Sequence, residues 1–511
     1  MATKTEKNAP MNVVQKVLTP HLVEGDPATD AELGIRIDQT LTQDATGTMA
    51  YLQFESMGVP HVKNDLAVSY VDHNTVQIGY ENADDHDFLA SIAKKYGVIY
   101  SKAGNGICHQ LHLERFGKPG TTLLGSDSHT PTGGGIGQLA IGAGGIDIAV
   151  AMAGGAFHIP APKVRAIELV GALRPGVSAK DVILKVLEKF GTKGNVGWIF
   201  EYTGPGVKTL DIPSRATITN MGAELGVTTS IFPSDEVTKA FLEAQGRGGD
   251  YREIAADAGC AYDDTFTLDL SGVEPLMAAP HSPGNVVTVA SLKGTRVNQI
   301  LIGSCTNSSY RDIRTVAHVL AGKHVADDVE VGIACGSRQV VRMLAEDGSL
   351  AILVGAGCRI LENACGFCIG AHMSPRTDAI SLRTNNRNFE GRSGTKSAKV
   401  YLVSPETAAV SALTGFIENP LAAEIPAVPA PEKFPIDDTM FLYRATAGKG
   451  VADTEIVRGP NIARVPSGAP LADDLAGVVA IKVGDKITTD HIMPAGVRLK
   501  LRSNIPEYAK Y

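Results

Sequence analysis

The chain has 511 residues, of which 44% are hydrophobic and 20% are charged, a balance that excludes wholesale disorder. Its formal net charge of −8 argues against a broad nucleic-acid-binding surface. Seven cysteines are too few for a disulfide framework, and no segment stays strongly apolar over the ~20 residues that a membrane span requires. We therefore expect a cytoplasmic protein of about three domains, without a membrane partner.

The predicted elements follow an α/β pattern. Ser178 begins a predicted helix that ends before Gly191, with apolar residues spaced three and four apart on one face. From 297 to 415, short apolar runs alternate with helix-like segments. The runs predicted as strands are 300–302, 329–334, 352–354, 380–382 and 399–403, and the predicted helices are 311–320, 339–346 and 405–414. Strands separated by helices predict parallel α/β layers, whose ligands bind beyond the carboxyl ends of the strands.

A domain boundary is predicted near residue 418. The segment 418–440 is rich in proline and alanine, a composition typical of a linker. A further strand-like run, 478–482, follows it. The residues after this run are too few to bury a core of their own, so we expect the last element to be the start of an incomplete domain.

Three cysteines lie in loops bracketed by glycine. Cys305 directly follows a predicted strand, and Cys365 and Cys368 form a Cys-x-x-Cys pair further along. Zinc usually takes four ligands, or three and a water. Iron–sulfur clusters take thiolates, and three of them on a four-iron cluster would leave one iron open as a Lewis acid. The remaining cysteines are interpreted as inert buried residues: Cys108, Cys260, Cys335 and Cys358.

Two arginines lie five residues apart in the polar loop 386–392. Arg387 and Arg392 suit a ligand with several carboxylates, because a guanidinium fork binds a carboxylate through two hydrogen bonds. The alternative interpretation is an ordinary solvated surface loop.

A third kind of cluster combines histidines with carboxylates. Asp127, Ser128 and His129 stand together before a glycine run, and Asp72-His73 and His109 lie upstream. The order does not predict a Ser-His-Asp triad, and the glycine run is no convincing dinucleotide-binding fingerprint. Each histidine alone is more often structural, but the clusters together indicate acid–base chemistry.

Taken together, these motifs resemble the aconitase superfamily. The resemblance runs in order from about residue 15 to 511 and rests on the segments 124–135, 220–224, 228–233, 303–309, 364–370, 386–392 and 484–491. It implies three α/β domains around a [4Fe-4S] cluster, then a linker and a swivelling fourth domain. The implied boundaries are 15–164, 165–292 and 293–418 for the three domains, 419–475 for the linker and 476–511 for the incomplete start of the fourth.

The resemblance also implies roles for individual residues. The three residues that match the cluster ligands are Cys305, Cys365 and Cys368, with Asn220 and Asn386 beside the cluster. Those that match substrate-binding positions are Gln53, Ser128, Arg387, Arg392 and Arg502. Those that match proton-holding histidine–carboxylate pairs are Asp72 with His73, His109 with Asp127, and His129 with Glu224.

The reaction that the resemblance implies is that of a lyase of the tricarboxylic acid cycle, which converts citrate to isocitrate through cis-aconitate. Two residues depart from the citrate enzymes: Phe367 stands where they usually carry proline, and Glu390 is more typical of the isopropylmalate isomerase branch. The family's base is a serine in a later loop of the fourth domain, and no such loop precedes Tyr511. We therefore expect a monomer that binds the cluster and a tricarboxylate but turns over poorly.

Other functions remain open at this point. Within the superfamily they are homoaconitase and 3-isopropylmalate isomerase. The large subunit of the isomerase usually ends before the linker, so the continuous linker, together with Gln53, favours aconitase. An RNA-binding regulator active in the cluster-free form is a different class, which the negative charge and the complete cysteine set disfavour. Simple electron transfer is disfavoured because redox-only clusters generally use four protein ligands.

Overall fold

The structure is a computed structural model that describes residues 9–466, 468–484, 501 and 503–511. In chain order its strands are β1 (Leu22–Glu24), β2 (Glu32–Ile35), β3 (Gln39–Gln43), β4 (Leu66–Tyr70), β5 (Ile99–Ser101), β6 (Thr122–Gly125), β7 (Leu139–Gly142), β8 (Phe157–Pro160), β9 (Lys163–Val170), β10 (Trp198–Thr203), β11 (Thr229–Ile231), β12 (Asp264–Asp269), β13 (Leu276–Ala278), β14 (Val286–Thr288), β15 (Gln299–Gly303), β16 (Glu330–Ala334), β17 (Arg359–Ile360), β18 (Ile380–Arg383), β19 (Lys399–Leu402) and β20 (Phe441–Leu442). Its α-helices are α1 (Val13–Leu18), α2 (Asp44–Ser56), α3 (Tyr80–Tyr96), α4 (Cys108–Arg115), α5 (Gly145–Met152), α6 (Ala179–Phe190), α7 (Ile212–Gly222), α8 (Glu236–Ala244), α9 (Tyr310–Leu320), α10 (Arg338–Glu346), α11 (Ser349–Gly355), α12 (Pro405–Thr414) and α13 (Ile505–Tyr508).

The first α/β layer is built on a six-stranded sheet with the order β20-β5-β4-β3-β6-β7. Strands β3 to β7 are mutually parallel, and β20 joins β5 as an antiparallel edge. All five residues of β3 are buried, as expected for a central parallel strand covered on both faces. The chain leaves β3, β4 and β6 at the same edge, so Asp44, Asp72 and Asp127 follow neighbouring strand ends.

The second layer is a four-stranded parallel sheet with the order β11-β10-β9-β12. Its helix α6 begins and ends as the sequence predicts. Ser178 is the N-cap, and its backbone N–H donates to Asp181 Oδ2 at 2.8 Å. The helix ends at Gly191, whose φ of 67° lies in the left-handed region that glycine adopts without strain.

The third layer is a seven-stranded sheet with the order β14-β13-β19-β18-β15-β16-β17. Within the run β19-β18-β15-β16-β17 every neighbouring pair of strands is parallel. Strands β13 and β14 form an antiparallel edge next to β19. The predicted strands at 300–302, 329–334, 380–382 and 399–403 are confirmed, as is the helix capped by Ser404. The α/β fold class is therefore confirmed.

Two predicted strands are wrong. The run 352–354 lies in α11, in which Ser349 and Leu353 are buried one turn apart while Val354 is 56% exposed. A short apolar run does not distinguish a strand from a helical turn, and here the residues form a helix. The run 478–482 forms no strand, because no other described strand pairs with it and Val478 is 96% exposed.

The predicted linker returns to the first layer. Asp438 accepts from Arg115 at 2.8 Å, and β20 then pairs with β5. The domain boundaries themselves stay predictions. In the described part of the chain, no helix is long and apolar enough to cross a membrane.

Candidate functional site

Three cysteine thiols converge at the carboxyl end of the third sheet. The side-chain amide of Asn386 joins two of them, since its Nδ2 donates to Cys305 Sγ at 3.1 Å and its Oδ1 lies 3.8 Å from Cys368 Sγ. The third thiol, Cys365 Sγ, lies 3.5 Å from Ser304 Oγ. All seven cysteines are free of disulfides. The geometry thus brings together the three cysteines that the sequence singled out.

The loops that carry the thiols depend on glycine. A Cβ at Gly303 would lie 1.8 Å from the carbonyl oxygen of Ala334, so any other residue would displace the neighbouring strand. Between the paired cysteines, a Cβ at Gly366 would lie 2.8 Å from the His372 ring. Ser304 itself has φ 76°, a left-handed conformation that non-glycine residues rarely adopt. The backbone is therefore held tightly around the sulfur atoms.

Hydrogen bonding and charge favour thiolates here. A hydrogen bond from Cys365 lowers the pKa of Cys305 to about 5, despite the opposing effect of burial. A hydrogen bond from Cys365 also holds the pKa of Cys368 well below its usual value, with help from Arg392. Cys365 correspondingly has a raised pKa. Thiolates are the form of cysteine that binds metal.

Two cations near the cysteines form no ion pair with a carboxylate of the described residues. Arg392 donates to Cys368 Sγ at 3.6 Å, while its buried Nε has no partner among the described residues. Arg383 is fully buried and donates to the carbonyl of Phe367, between the paired cysteines, at 2.7 Å. Buried cations are costly unless an anion compensates them. Three cysteines in glycine-bracketed loops facing these cations, two of them with lowered pKa, fit an anionic iron–sulfur cluster.

The histidine–carboxylate pairs form one network around Asp127 rather than three separate pairs. His109 Nε2 donates to Asp127 Oδ1 at 2.8 Å, and His73 Nε2 lies 3.5 Å from Asp127 Oδ2. The backbone N–H of His129 also donates to Asp127 Oδ1 at 2.8 Å. His73 Nδ1 bonds Asp72 Oδ1 at 2.7 Å, as predicted.

Two of these histidines are cationic at neutral pH. Burial alone would lower the pKa of His73, but the charges of Asp72 and Asp127 outweigh it and raise the pKa to about 10. His129 has a pKa of about 9, because hydrogen bonds to Asp127 and Glu224 outweigh burial and the charge of Arg387. The site therefore holds protons that it can donate.

Glu224 links the histidine network to the arginine loop. Its Oε1 accepts from His129 Nε2 at 2.7 Å and from Arg387 Nε at 2.8 Å. Glu224 comes from the second layer, His129 from the first and Arg387 from the third. Through hydrogen bonds to Glu224 Oε1, residues from all three layers are therefore joined.

The remaining predicted residues occupy different positions. Asn220 Nδ2 donates to the Cys305 carbonyl oxygen at 3.4 Å, and Ser128 Oγ lies 3.3 Å from His129 Nδ1. Gln53 makes no hydrogen bond to them in the described part of the chain, and its Oε1 is buried without a partner there. Arg502 lies outside the described residues.

Sequence reasoning missed Asp44, which supports the histidine loop. Asp44 Oδ1 accepts from the backbone N–H groups of Asp72 and His73 at 2.9 and 2.8 Å, and Oδ2 accepts from that of Asn74 at 2.8 Å. The carboxylate is fully buried on the first residue of α2, directly after β3. A polar residue that ends a buried strand is the signal that could have revealed it. Lys180 was also missed.

Comparisons with known proteins agree with this site. A family model described as "Aconitase family (aconitate hydratase)" matches residues 15–295 and 288–415. The 3-isopropylmalate dehydratase large subunit 2 of Archaeoglobus fulgidus is 37% identical over 410 residues, covering 79% of this chain and 99% of that protein. The mitochondrial aconitate hydratase of Saccharomyces cerevisiae is 34% identical over 563 residues, covering 98% of this chain and 71% of that protein. The mitochondrial homocitrate dehydratase of the same yeast is 34% identical over 565 residues, with the same two coverages.

Proposed function

Since the chain belongs to the aconitase family of iron–sulfur hydro-lyases, we propose that it isomerises citrate to isocitrate through cis-aconitate. The proposed cofactor is a [4Fe-4S] cluster on Cys305, Cys365 and Cys368. The observation that carries the proposal is the convergence of these thiols with the arginine loop and the cationic histidines. A protein that only carries electrons needs neither an arginine loop nor cationic histidines beside its cluster.

The chain's own residues supply charge and protons. Arg387 uses its Nε on Glu224, which leaves its terminal nitrogens for a substrate carboxylate. Arg392 is a second buried cation for such a group, and Ser128 beside His129 can orient it. The protonated imidazole of His129 or His73 is poised to donate to a departing hydroxyl. When bound, the cluster supplies Lewis-acid chemistry at its iron that lacks a cysteine ligand.

Citrate is favoured by the extent of the match. The yeast aconitate hydratase aligns with 98% of this chain, through the linker and beyond, whereas the archaeal isopropylmalate dehydratase subunit aligns with 79%. Gln53, which matches a substrate-binding position, has a buried oxygen that no described residue satisfies, as expected if a ligand hydroxyl or bound water completes it.

3-Isopropylmalate is the second candidate substrate, supported by different observations. The archaeal subunit has the higher identity, 37% against 34%. Glu390 lies in the arginine loop and is exposed. A carboxylate near the substrate entrance disfavours a trianion relative to a dianion through charge repulsion. Homocitrate is a third candidate, and it carries the same number of negative charges as citrate. The yeast homocitrate dehydratase aligns with the same share of this chain as the yeast aconitate hydratase.

Binding and turnover with three substrates test the proposal. The protein is reconstituted anaerobically with iron and sulfide, and citrate, homocitrate and 3-isopropylmalate are compared by calorimetry and by coupled assays. We expect citrate to bind most tightly and the C305S variant to hold no cluster. Preference for 3-isopropylmalate would reassign the substrate, and a wild-type protein that assembles no cluster would overturn the proposal. The cytoplasmic location and monomeric state stay predictions.

A further inference from the structure

Lys180 is buried in a place where a cation is costly. Among the lysines of the described part of the chain it alone is buried, with 0% of its surface exposed. It occupies the first turn of α6, where the positive end of the helix dipole disfavours a positive charge. None of the ion pairs found among the described residues includes it.

The carboxylate of the adjacent residue is committed elsewhere. Asp181 Oδ1 accepts from the backbone N–H of Leu276 at 2.7 Å, and Oδ2 accepts from that of Ser178 at 2.8 Å. Lys180 instead donates its Nζ to two backbone carbonyls of the third layer. The distances are 2.6 Å to Thr384 and 2.7 Å to Asn385.

These two carbonyls belong to the segment that builds the site. Thr384 follows β18 directly, and its Oγ1 accepts from the backbone N–H of Gly303 at 2.8 Å, two residues before Cys305. The next residues are Asn386, whose amide contacts Cys305 Sγ, and Arg387, which reaches Glu224. Lys180 thus forms hydrogen bonds with the backbone immediately before Asn386, which contacts Cys305, and Arg387, which contacts Glu224.

We propose that Lys180 is a positioning residue, which fixes the segment 384–387 (the site segment) through its two hydrogen bonds to backbone carbonyls. The inference rests on the proposed function, since Asn386 and Arg387 of this segment are proposed to lie beside the cluster and the substrate. Burial lowers the pKa of Lys180 to about 7, and the charges of Cys305, Asp312 and Asp181 oppose that effect.

Replacement of Lys180 tests whether it positions the site segment. K180M removes both hydrogen bonds and the charge while keeping a similar apolar stem. After anaerobic reconstitution, we measure iron and sulfide per chain and the rate at which a chelator bleaches the visible absorbance of the cluster. We expect K180M to lose its cluster about tenfold faster than wild type, because charged hydrogen bonds are lost. We also expect a raised KM for citrate, because Arg387 is less well fixed.

Two control variants come from the same helix. K185M removes a half-buried lysine whose one ion pair among the described residues is with Glu188, and we expect wild-type cluster retention. S178A removes the hydrogen bond that Ser178 Oγ donates to Asp181 Oδ2 at the start of α6, and we expect it to lower the melting temperature without speeding cluster loss. Should K180M not fold, K180Q serves the same comparison, since its amide can donate to a carbonyl without carrying charge.

The outcomes separate the two proposals. A wild-type chain that assembles no cluster contradicts the proposed function. A wild-type chain that assembles one, with K180M or K180Q retaining it equally long, overturns the role of Lys180. Equal acceleration of cluster loss by S178A would also overturn it, because the effect would then follow from helix stability alone.

Discussion

Replacing Glu224 by glutamine removes one negative charge from beneath two cations with little change in side-chain volume. In the protein, Glu224 Oε1 accepts from His129 Nε2 at 2.7 Å and from Arg387 Nε at 2.8 Å. Burial raises the pKa of Glu224, but these two partners outweigh it and lower the pKa overall. A neutral amide cannot compensate both cations, so E224Q leaves an imidazole and a guanidinium facing each other.

The magnitude follows from the burial of the pair. A hydrogen bond to a charged group contributes roughly 1.5–3 kcal/mol, and the Arg387 side chain is 22% exposed, so water relieves part of the loss. We expect E224Q to reduce the free energy of unfolding by about 2 kcal/mol near pH 6. We also expect the pKa of His129, about 9 in the wild type, to fall by roughly 1 to 2 pH units.

The pH dependence carries a definite sign. The pKa of Glu224 is lowered from 4.5, so its contribution is present above pH 4.5 and is lost as the pH falls through the lowered value. The pKa of His129 is raised from 6.5, so its contribution is complete below pH 6.5 and is lost as the pH rises through about 9. The difference between wild type and E224Q should therefore be largest between these limits and shrink in acid.

Three measurements check this reasoning. Urea unfolding gives the stability difference, NMR of ¹³C-labelled histidine gives the His129 titration with H129Q for assignment, and calorimetry gives citrate affinity. E188Q is the matched control, because Glu188 is exposed and its one ion pair in the described part of the chain is with Lys185. An unchanged His129 titration together with unchanged citrate affinity in E224Q would refute the assigned role of Glu224.

Further predictions concern the thiols, the histidine loop and a remote helix. We expect C305S to lose the reconstituted iron that C335S keeps, measured per chain, because of these two cysteines only Cys305 belongs to the group of three converging thiols. D44N turns one of the two accepting carboxylate oxygens into an NH2 donor, so at least one of the three backbone N–H groups loses its acceptor, and we expect unfolding in urea to be about 2 kcal/mol easier and kcat to fall. We expect S404A to cost about 1 kcal/mol through the lost cap of α12, without changing citrate affinity.

Much of the fold was predictable because its signals are local. The ends of α6 follow from Ser178 and Gly191, and α12 follows from Ser404 and the proline after it. The loop of Cys305 was placed correctly because Gly303 and Cys305 follow the apolar run 300–302. The error at 352–354 has a local cause as well, since a three-residue apolar run carries no period that separates a strand from a helical turn.

The site was predictable from adjacency in the chain only for Asp72 and His73. The pairs His109 with Asp127 and His129 with Glu224, which are 18 and 95 residues apart, could be expected only from the family resemblance. Lys180 lies 204 residues from Thr384, and no sequence pattern in either segment indicates that the two are in contact. The joining of the three histidines through Asp127 depends on β4 and β6 flanking β3, which is a feature of the sheet order.

The distribution of charge connects these observations. The cations that contact the backbone or sulfur atoms around the cysteines, namely Lys180, Arg383 and Arg392, belong to none of the ion pairs found in the described part of the chain. The carboxylates instead lie beside the histidines, where they keep protons on the imidazoles. If acidic residues neutralised the cations, the thiolates would lose their electrostatic support. If they left the histidines, the imidazoles would lose their protons at neutral pH. The two halves of the site therefore depend on the same separation of charge, which Glu224 bridges by accepting from both His129 and Arg387.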